Sequence, residues 1–120
     1  QQKAARLALE NPLGIGAQQF APHFHHEEPH NTYLAMFLNA GWLGGLLFLA
    51  IVATTVVHGL RHALRRSACQ PMFLAAYAAF VGHAAEAAVI DIDHWRHFYL
   101  LLAIVWGLMA SAHKAQRPAA

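Results

Sequence analysis

Apolar residues in this chain gather into three long runs, preceded by a segment of mixed character. The longest run holds no charged residue from position 31 to position 57. At 1.5 Å per residue, those roughly 27 residues would make a helix of about 40 Å. A bilayer core is only about 30 Å thick. The first turns are therefore expected at the interface and the span itself at 41–60. A second run covers 72–92; its many alanines suit packing against other helices, and His83 and Glu86 are the strongly polar side chains within it, with Asp91 at its very end. A third covers 98–113. Between them lie a basic stretch at 61–71 and a polar turn at 93–97, with a tail at 114–120.

The first forty residues read differently. Positions 1–9 predict an amphipathic helix, with Ala4, Ala5, Leu7, Ala8 and Leu9 beside Lys3 and Arg6. Asn11-Pro12 ends it, because proline disfavours helix in the residue before it. Leu13-Gly14-Ile15-Gly16 then predicts a tight, irregular turn. Positions 17–30 are polar and without periodicity. Asn31 or Thr32 is the expected N-cap of the long run. Gly41 and Gly45 form a small-xxx-small pair that permits close helix approach. Pro71 fits the first turn of a helix, where its missing N–H costs nothing.

Composition turns these runs into a membrane protein. Hydrophobic residues make up 58% of the 120 and charged residues 12%, against about 25% charged in soluble domains. The expected class is all-α: a fragment of a polytopic membrane protein with about three transmembrane helices and a periplasmic loop carrying a short amphipathic helix. The chain opens without methionine or a signal peptide, which makes a C-terminal fragment the expectation. Net charge is +2 with histidine neutral, so no nucleic-acid footprint is expected. The one cysteine, Cys69, excludes an internal disulfide. Arg61, Arg65, Arg66, Lys114 and Arg117 fall on one side of the spans, and the positive-inside rule makes that side cytoplasmic. Residues 1–40 and the 93–97 turn then face outward. Tyr33, Trp42, Trp95 and Tyr99 contribute to an outer aromatic belt, with Trp106 nearer the inner face.

Three groups of residues can carry chemistry. His30 closes the polar loop where the first long helix begins. Imidazole, with an ordinary pKa of about 6.5, can accept a proton from a hydroxyl nucleophile at neutral pH. The adjacent helix N-terminus favours phosphate. On spacing alone, a helix-capping role for His30 has the better claim. His23, His25, His26, Glu27, Glu28 and His30 are ordinary metal-ligand types, but they lack helical spacing and are flanked by Pro22 and Pro29, which favours a solvated loop. His83 and Glu86, at i, i+3, share a helix face; ionisable groups within a membrane are functional candidates, although Glu86 is close enough to the outer end to reach the interface. Asp91, Asp93, His94 and Arg96 are expected to pair locally.

Asn11-Pro12-Leu13-Gly14-Ile15-Gly16, then Phe20, then Pro29-His30-Asn31-Thr32-Tyr33-Leu34, resembles the O-antigen ligase and polymerase family. That family's pattern is an NPLxGxG turn followed by F, then HNxxL, then G-x-L-G, here Gly41-Trp42-Leu43-Gly44. The closing Asp93-His94-Trp95-Arg96-His97 before an apolar helix also resembles its members. The match covers nearly the whole chain as the C-terminal third of such a protein.

The resemblance implies an inverting, metal-independent glycosyltransferase of the bacterial inner membrane with a periplasmic active face. It would move a glycan from undecaprenyl diphosphate to a hydroxyl of lipid A-core or of another glycan. His30 matches the catalytic histidine that activates the hydroxyl. Asn31, Glu86, Arg96 and Arg6 are the candidate substrate-binding residues. Arg6 does not fall on the family's diphosphate-binding arginines, which lie upstream of the turn, so its part, like that of Lys3 and Arg96, is that of a local cation, with snorkelling at the interface the better reading. No cofactor is expected. The competing reading is a transporter or metal-handling membrane protein that uses the histidine loop and Glu86.

Overall fold

The computed structural model describes residues 2–24, 29–67, 69–90, 92 and 96–115. Among these the regular elements are all helices: α1 (Gln2–Glu10), α2 (Phe20–Phe24), α3 (Thr32–Ala63), α4 (Gln70–Glu86) and α5 (Arg96–Ala115). The chain divides into two compact units, one of Gln1–Val52 with Ala85–His94, the other of Ala53–Ala84 with Trp95–Ala120.

In the first unit α1 forms where the apolar stripe predicts it and ends at Asn11. There the Asn11 N–H and side-chain Nδ2 both donate to the Leu7 carbonyl, at 2.9 and 2.8 Å. The stripe packs its small residues inward: Ala4 and Ala8 form a core with Phe20 and Leu38. Burial of Phe20 accounts for α2, one helical turn in a segment expected to be irregular. No local periodicity encodes that turn; the core contact does.

Within α3, Gly41 departs from helical geometry at φ 71°, ψ −173° and kinks the helix. In a straight helix the Trp42 N–H would donate to the Leu38 carbonyl. Here it donates to Pro12 at 2.9 Å, while the Leu38 and Asn39 carbonyls accept from Ile15 (2.8 Å) and Gly16 (3.2 Å). The turn at 12–16, with Gly14 and Gly16 at positive φ, thus satisfies backbone groups that the kink releases. The close approaches at Gly41 and Gly45 are to the 12–14 turn and to Phe37 of the helical stretch before the kink. A Cβ on Gly41 would meet the backbone of Pro12 and Leu13, and one on Gly45 would meet the Phe37 ring.

In the second unit the end of α3, α4 and α5 pack through aromatic residues. The Tyr77 ring lies against Gly59, and its hydroxyl donates to the Val56 carbonyl at 2.7 Å. Trp106 Nε1 donates to the buried Thr55 Oγ1 at 2.8 Å. Phe80 and Phe98 stack at 5.5 Å, both fully buried.

The boundaries of the expected spans shift. The kink sits at the expected start of the 41–60 span, but the helix continues to Ala63 and so takes in the first residues of the expected basic loop. The Arg61 cation in its last turn complements the negative end of the helix dipole. Pro71 falls in the first turn of α4. That helix stops at Glu86, short of the expected 92, because the carbonyls after it are engaged elsewhere. Among the described residues α3 is the one helix long and apolar enough to cross a membrane, and only 22% of its most apolar stretch is buried.

Candidate functional site

The site is built at the start of α3. Asn31 N–H donates to the Pro29 carbonyl at 2.9 Å, closing a three-residue turn with His30 at its centre. Pro29 is buried and His30 is exposed. Asn31 is the N-cap: its Oδ1 accepts from the Leu34 N–H at 3.0 Å, the usual bond from cap to third helical residue. Its Nδ2 donates to the Ala88 carbonyl at 2.8 Å.

Thr32, fully buried, ties the same stretch down. Its N–H donates to the Ala87 carbonyl at 2.8 Å. Its hydroxyl donates to the Ile90 carbonyl at 3.0 Å and accepts from the Ile92 N–H at 2.7 Å. The segment that leaves α4 is therefore strapped under the His30 turn. This is why α4 ends early: the Ala87, Ala88 and Ile90 carbonyls are taken by Asn31 and Thr32. The strap begins beside Glu86, which is exposed and whose backbone carbonyl accepts from Val89 (2.9 Å) and Ile90 (3.0 Å).

The sequence-predicted residues are thus only partly assembled. His30, Asn31 and the stretch beginning at Glu86 come together. Asn31 has both polar side-chain atoms engaged structurally, so its amide is a scaffold. The helix N-terminus is less open to phosphate than expected, because the Thr32 and Leu34 N–H groups are already bonded. Arg6 is paired with Glu10, Nε to Oε1 at 2.8 Å, on an exposed face of α1; that hydrogen bond and the carboxylate charge hold its pKa above the ordinary value. Lys3 donates to the Phe24 carbonyl, linking α1 to α2. Arg96 is exposed in the first turn of α5 and belongs to the second unit. His83 and Glu86 both lie in α4 at i, i+3, and the His83 ring also meets His97, ring centroids 4.8 Å apart. His25, His26, Glu27 and Glu28, with Asp91, Asp93, His94 and Trp95, lie outside the described residues, and so do the metal-ligand and local-pairing expectations for them.

Two features escaped the sequence reading. One is Thr32, which looked like one of two alternative caps and is instead the buried anchor of the strap. The other is an apolar cavity of about 440 Å³ between α1 and α3, lined by Ala5, Leu9, Leu34, Phe37, Trp42 and Leu46. Its wall includes Leu34, four residues after His30, and Trp42, whose indole N–H donates to the Ala8 carbonyl at 2.8 Å. That bond satisfies an end carbonyl of α1.

In comparison with known proteins, the chain matches no family model, no curated protein and no solved structure.

Proposed function

We propose that this chain is the C-terminal part of an inverting glycosyltransferase of the O-antigen ligase or polymerase type, with His30 as general base. The observation that carries the reading is the placement of His30. It is exposed at the centre of a short turn, held from one side by the Asn31 cap and from below by the Thr32 strap. The order of motifs supports it too, because the NPLGIG turn and the Gly41-Trp42-Leu43-Gly44 stretch that carry the resemblance bond directly to each other, Trp42 N–H to the Pro12 carbonyl. The membrane reading rests on the exposed apolar side chains of α3, among them Leu43, Leu46, Leu47 and Leu60. In this reading α3 beyond Gly41, α4 and α5 are three spans of a multi-pass inner-membrane protein, and His30 faces the periplasm.

The chemistry follows from the two reactants. An acceptor sugar hydroxyl attacks the anomeric carbon as the bond from that carbon to the diphosphate oxygen breaks. The hydroxyl proton passes to the His30 imidazole. Configuration inverts, and undecaprenyl diphosphate departs with its charge. Diphosphate leaves without a protonating acid, so the remaining need is positive charge near the developing phosphate charge. Arg6, already balanced by Glu10, is a poor source for it, and cations elsewhere in the full-length protein must supply most of it. The apolar cavity between α1 and α3 offers the first isoprene units of the carrier a place beside the reacting end.

His30→Ala in the full-length protein tests the reading. Transfer of glycan to the acceptor should fall by about 10²–10⁴-fold, the usual contribution of a general base. Thermal stability should change by less than about 0.5 kcal/mol, as for an exposed side chain. Wild-type transfer should survive a chelator. Undiminished transfer by the variant, or loss of wild-type transfer in chelator, would remove the proposal.

A further inference from the structure

The second unit contains six of the eight lysines and arginines (Arg61, Arg65, Arg66, Arg96, Lys114 and Arg117) and none of the six carboxylates. Among its described residues the unit holds no Asp or Glu side chain to pair with Arg65 or Arg66. These two converge with other donors. Where α3 ends, His62, Arg65, Arg66 and Ser67 line a small polar cavity of about 80 Å³, closed on the far side by Met109 and His113 of α5.

The walls are held in place. The Arg65 N–H donates to the His62 carbonyl at 3.0 Å, and the Gln70 N–H donates to the Ser67 carbonyl at 3.2 Å. Gln70 Nε2 reaches back to the Ala63 carbonyl at 3.1 Å, capping the end of α3. The His62 ring stands edge-on to Phe73 at 4.4 Å. Basic residues at a helix C-terminus ordinarily complement its dipole, and basic loops ordinarily set membrane orientation. Neither role requires two arginines, a serine and two histidines around one concave space.

We propose that this cavity binds a phosphate group. Guanidinium groups suit phosphate because their forked N–H donors match its oxygens, and the Ser67 hydroxyl adds a neutral donor. The volume suits a single headgroup-sized anion and is well below the roughly 300–1,000 Å³ of pockets for larger ligands. Two sources share this chemistry: the phosphate of an anionic phospholipid, for which basic pockets at the cytoplasmic ends of membrane helices are known receptors, and phosphate free in solution. The site is separate from His30 and does not depend on the transferase reading.

The test uses the full-length protein in neutral detergent. Its thermal midpoint is followed against inorganic phosphate in one arm and short-chain phosphatidylglycerol in the other, since a ligand of the folded state raises the midpoint saturably. Saturation by phosphatidylglycerol alone assigns the site to a lipid headgroup; saturation by inorganic phosphate as well assigns it to the free anion. In either case R65Q/R66Q should weaken binding by about 100-fold, roughly tenfold for each lost charge-assisted hydrogen bond. R65K/R66K, which keeps the charge but loses the fork, should fall between the two. R61Q, which alters a cation outside the cavity, should bind like wild type. If neither ligand saturates, or if R61Q weakens binding as much as R65Q/R66Q does, there is no site and only diffuse surface charge.

Discussion

Gly41 occupies φ 71°, ψ −173°, a region essentially closed to residues with a Cβ. Its constraint is also steric, because an added Cβ would come within 2.5 Å of the Pro12 carbonyl oxygen. Gly14 faces it from the other side at φ 82°, where a Cβ would lie 2.6 Å from the Gly41 nitrogen. Each glycine makes room for the other's backbone, so replacing either should undo the same contact. Gly41→Ala is expected to cost at least about 1–3 kcal/mol from backbone strain alone, with more lost as the turn is displaced. Gly82→Ala is the matched comparison: Gly82 sits in α4 with nothing within 4 Å of its would-be Cβ. That change should be neutral, or stabilising by up to about 1 kcal/mol. Thermal unfolding of the two variants in one detergent compares them, and equal midpoints would mean that the kink carries no such constraint.

At the level of elements, two of the hydrogen bonds that tie the start of α3 to the strap after α4 pass through one hydroxyl, that of Thr32. Thr32→Val keeps the side-chain shape but leaves the buried Ile92 N–H without its acceptor and the Ile90 carbonyl without its donor. Each orphaned group costs about 1–3 kcal/mol. The variant should lose thermal stability on that scale, and the Ile92 amide should exchange its hydrogen faster; Thr32→Ser should restore both. Protection of Ile92 unchanged in Thr32→Val would argue against the strap. These contacts mark where sequence reading stops. The α1 helix, its end at Asn11 and the Asn31 cap were legible because each rests on local chemistry: an apolar stripe, a proline and a short amide; the kink at Gly41 was not, since the glycine read equally well as a site of close helix approach. The exposed position of His30 at the loop's end followed from the same signals. The strap was not legible, since Thr32 meets residues about sixty positions away and nothing in its neighbours encodes them. For the same reason the structural employment of Asn31 and the pairing of Arg6 with Glu10 were hidden among the substrate-binding candidates.

Across the whole molecule, charge is divided by unit. Lys3 and Arg6 share the first unit with all six Asp and Glu residues, and the other six Lys and Arg residues fall in the second. A soluble chain has no reason to keep its acids and bases so far apart in composition. In the proposed topology five of these cations, Arg61, Arg65, Arg66, Lys114 and Arg117, lie on the side that the positive-inside rule makes cytoplasmic, while Arg96 stands at the outward-facing turn. The chain carries its own reporter of this orientation. Cys69, the single cysteine, is exposed beside the Arg65-Arg66 stretch. A membrane-impermeant thiol reagent should therefore leave Cys69 unlabelled in cells whose inner membrane is intact and label it once that membrane is opened. Ala17→Cys in a Cys69→Ser background should do the reverse, because Ala17 is exposed in the loop that leads to His30. Cys69→Ser alone supplies the blank for cysteines elsewhere in the full-length protein. The pairing matters because the transferase reading needs His30 on the side where the carrier-linked glycan is delivered. Labelling of Cys69 in intact cells together with protection of Ala17→Cys would place His30 in the cytosol, and no local geometry around that histidine could then rescue it as the base for a periplasmic transfer.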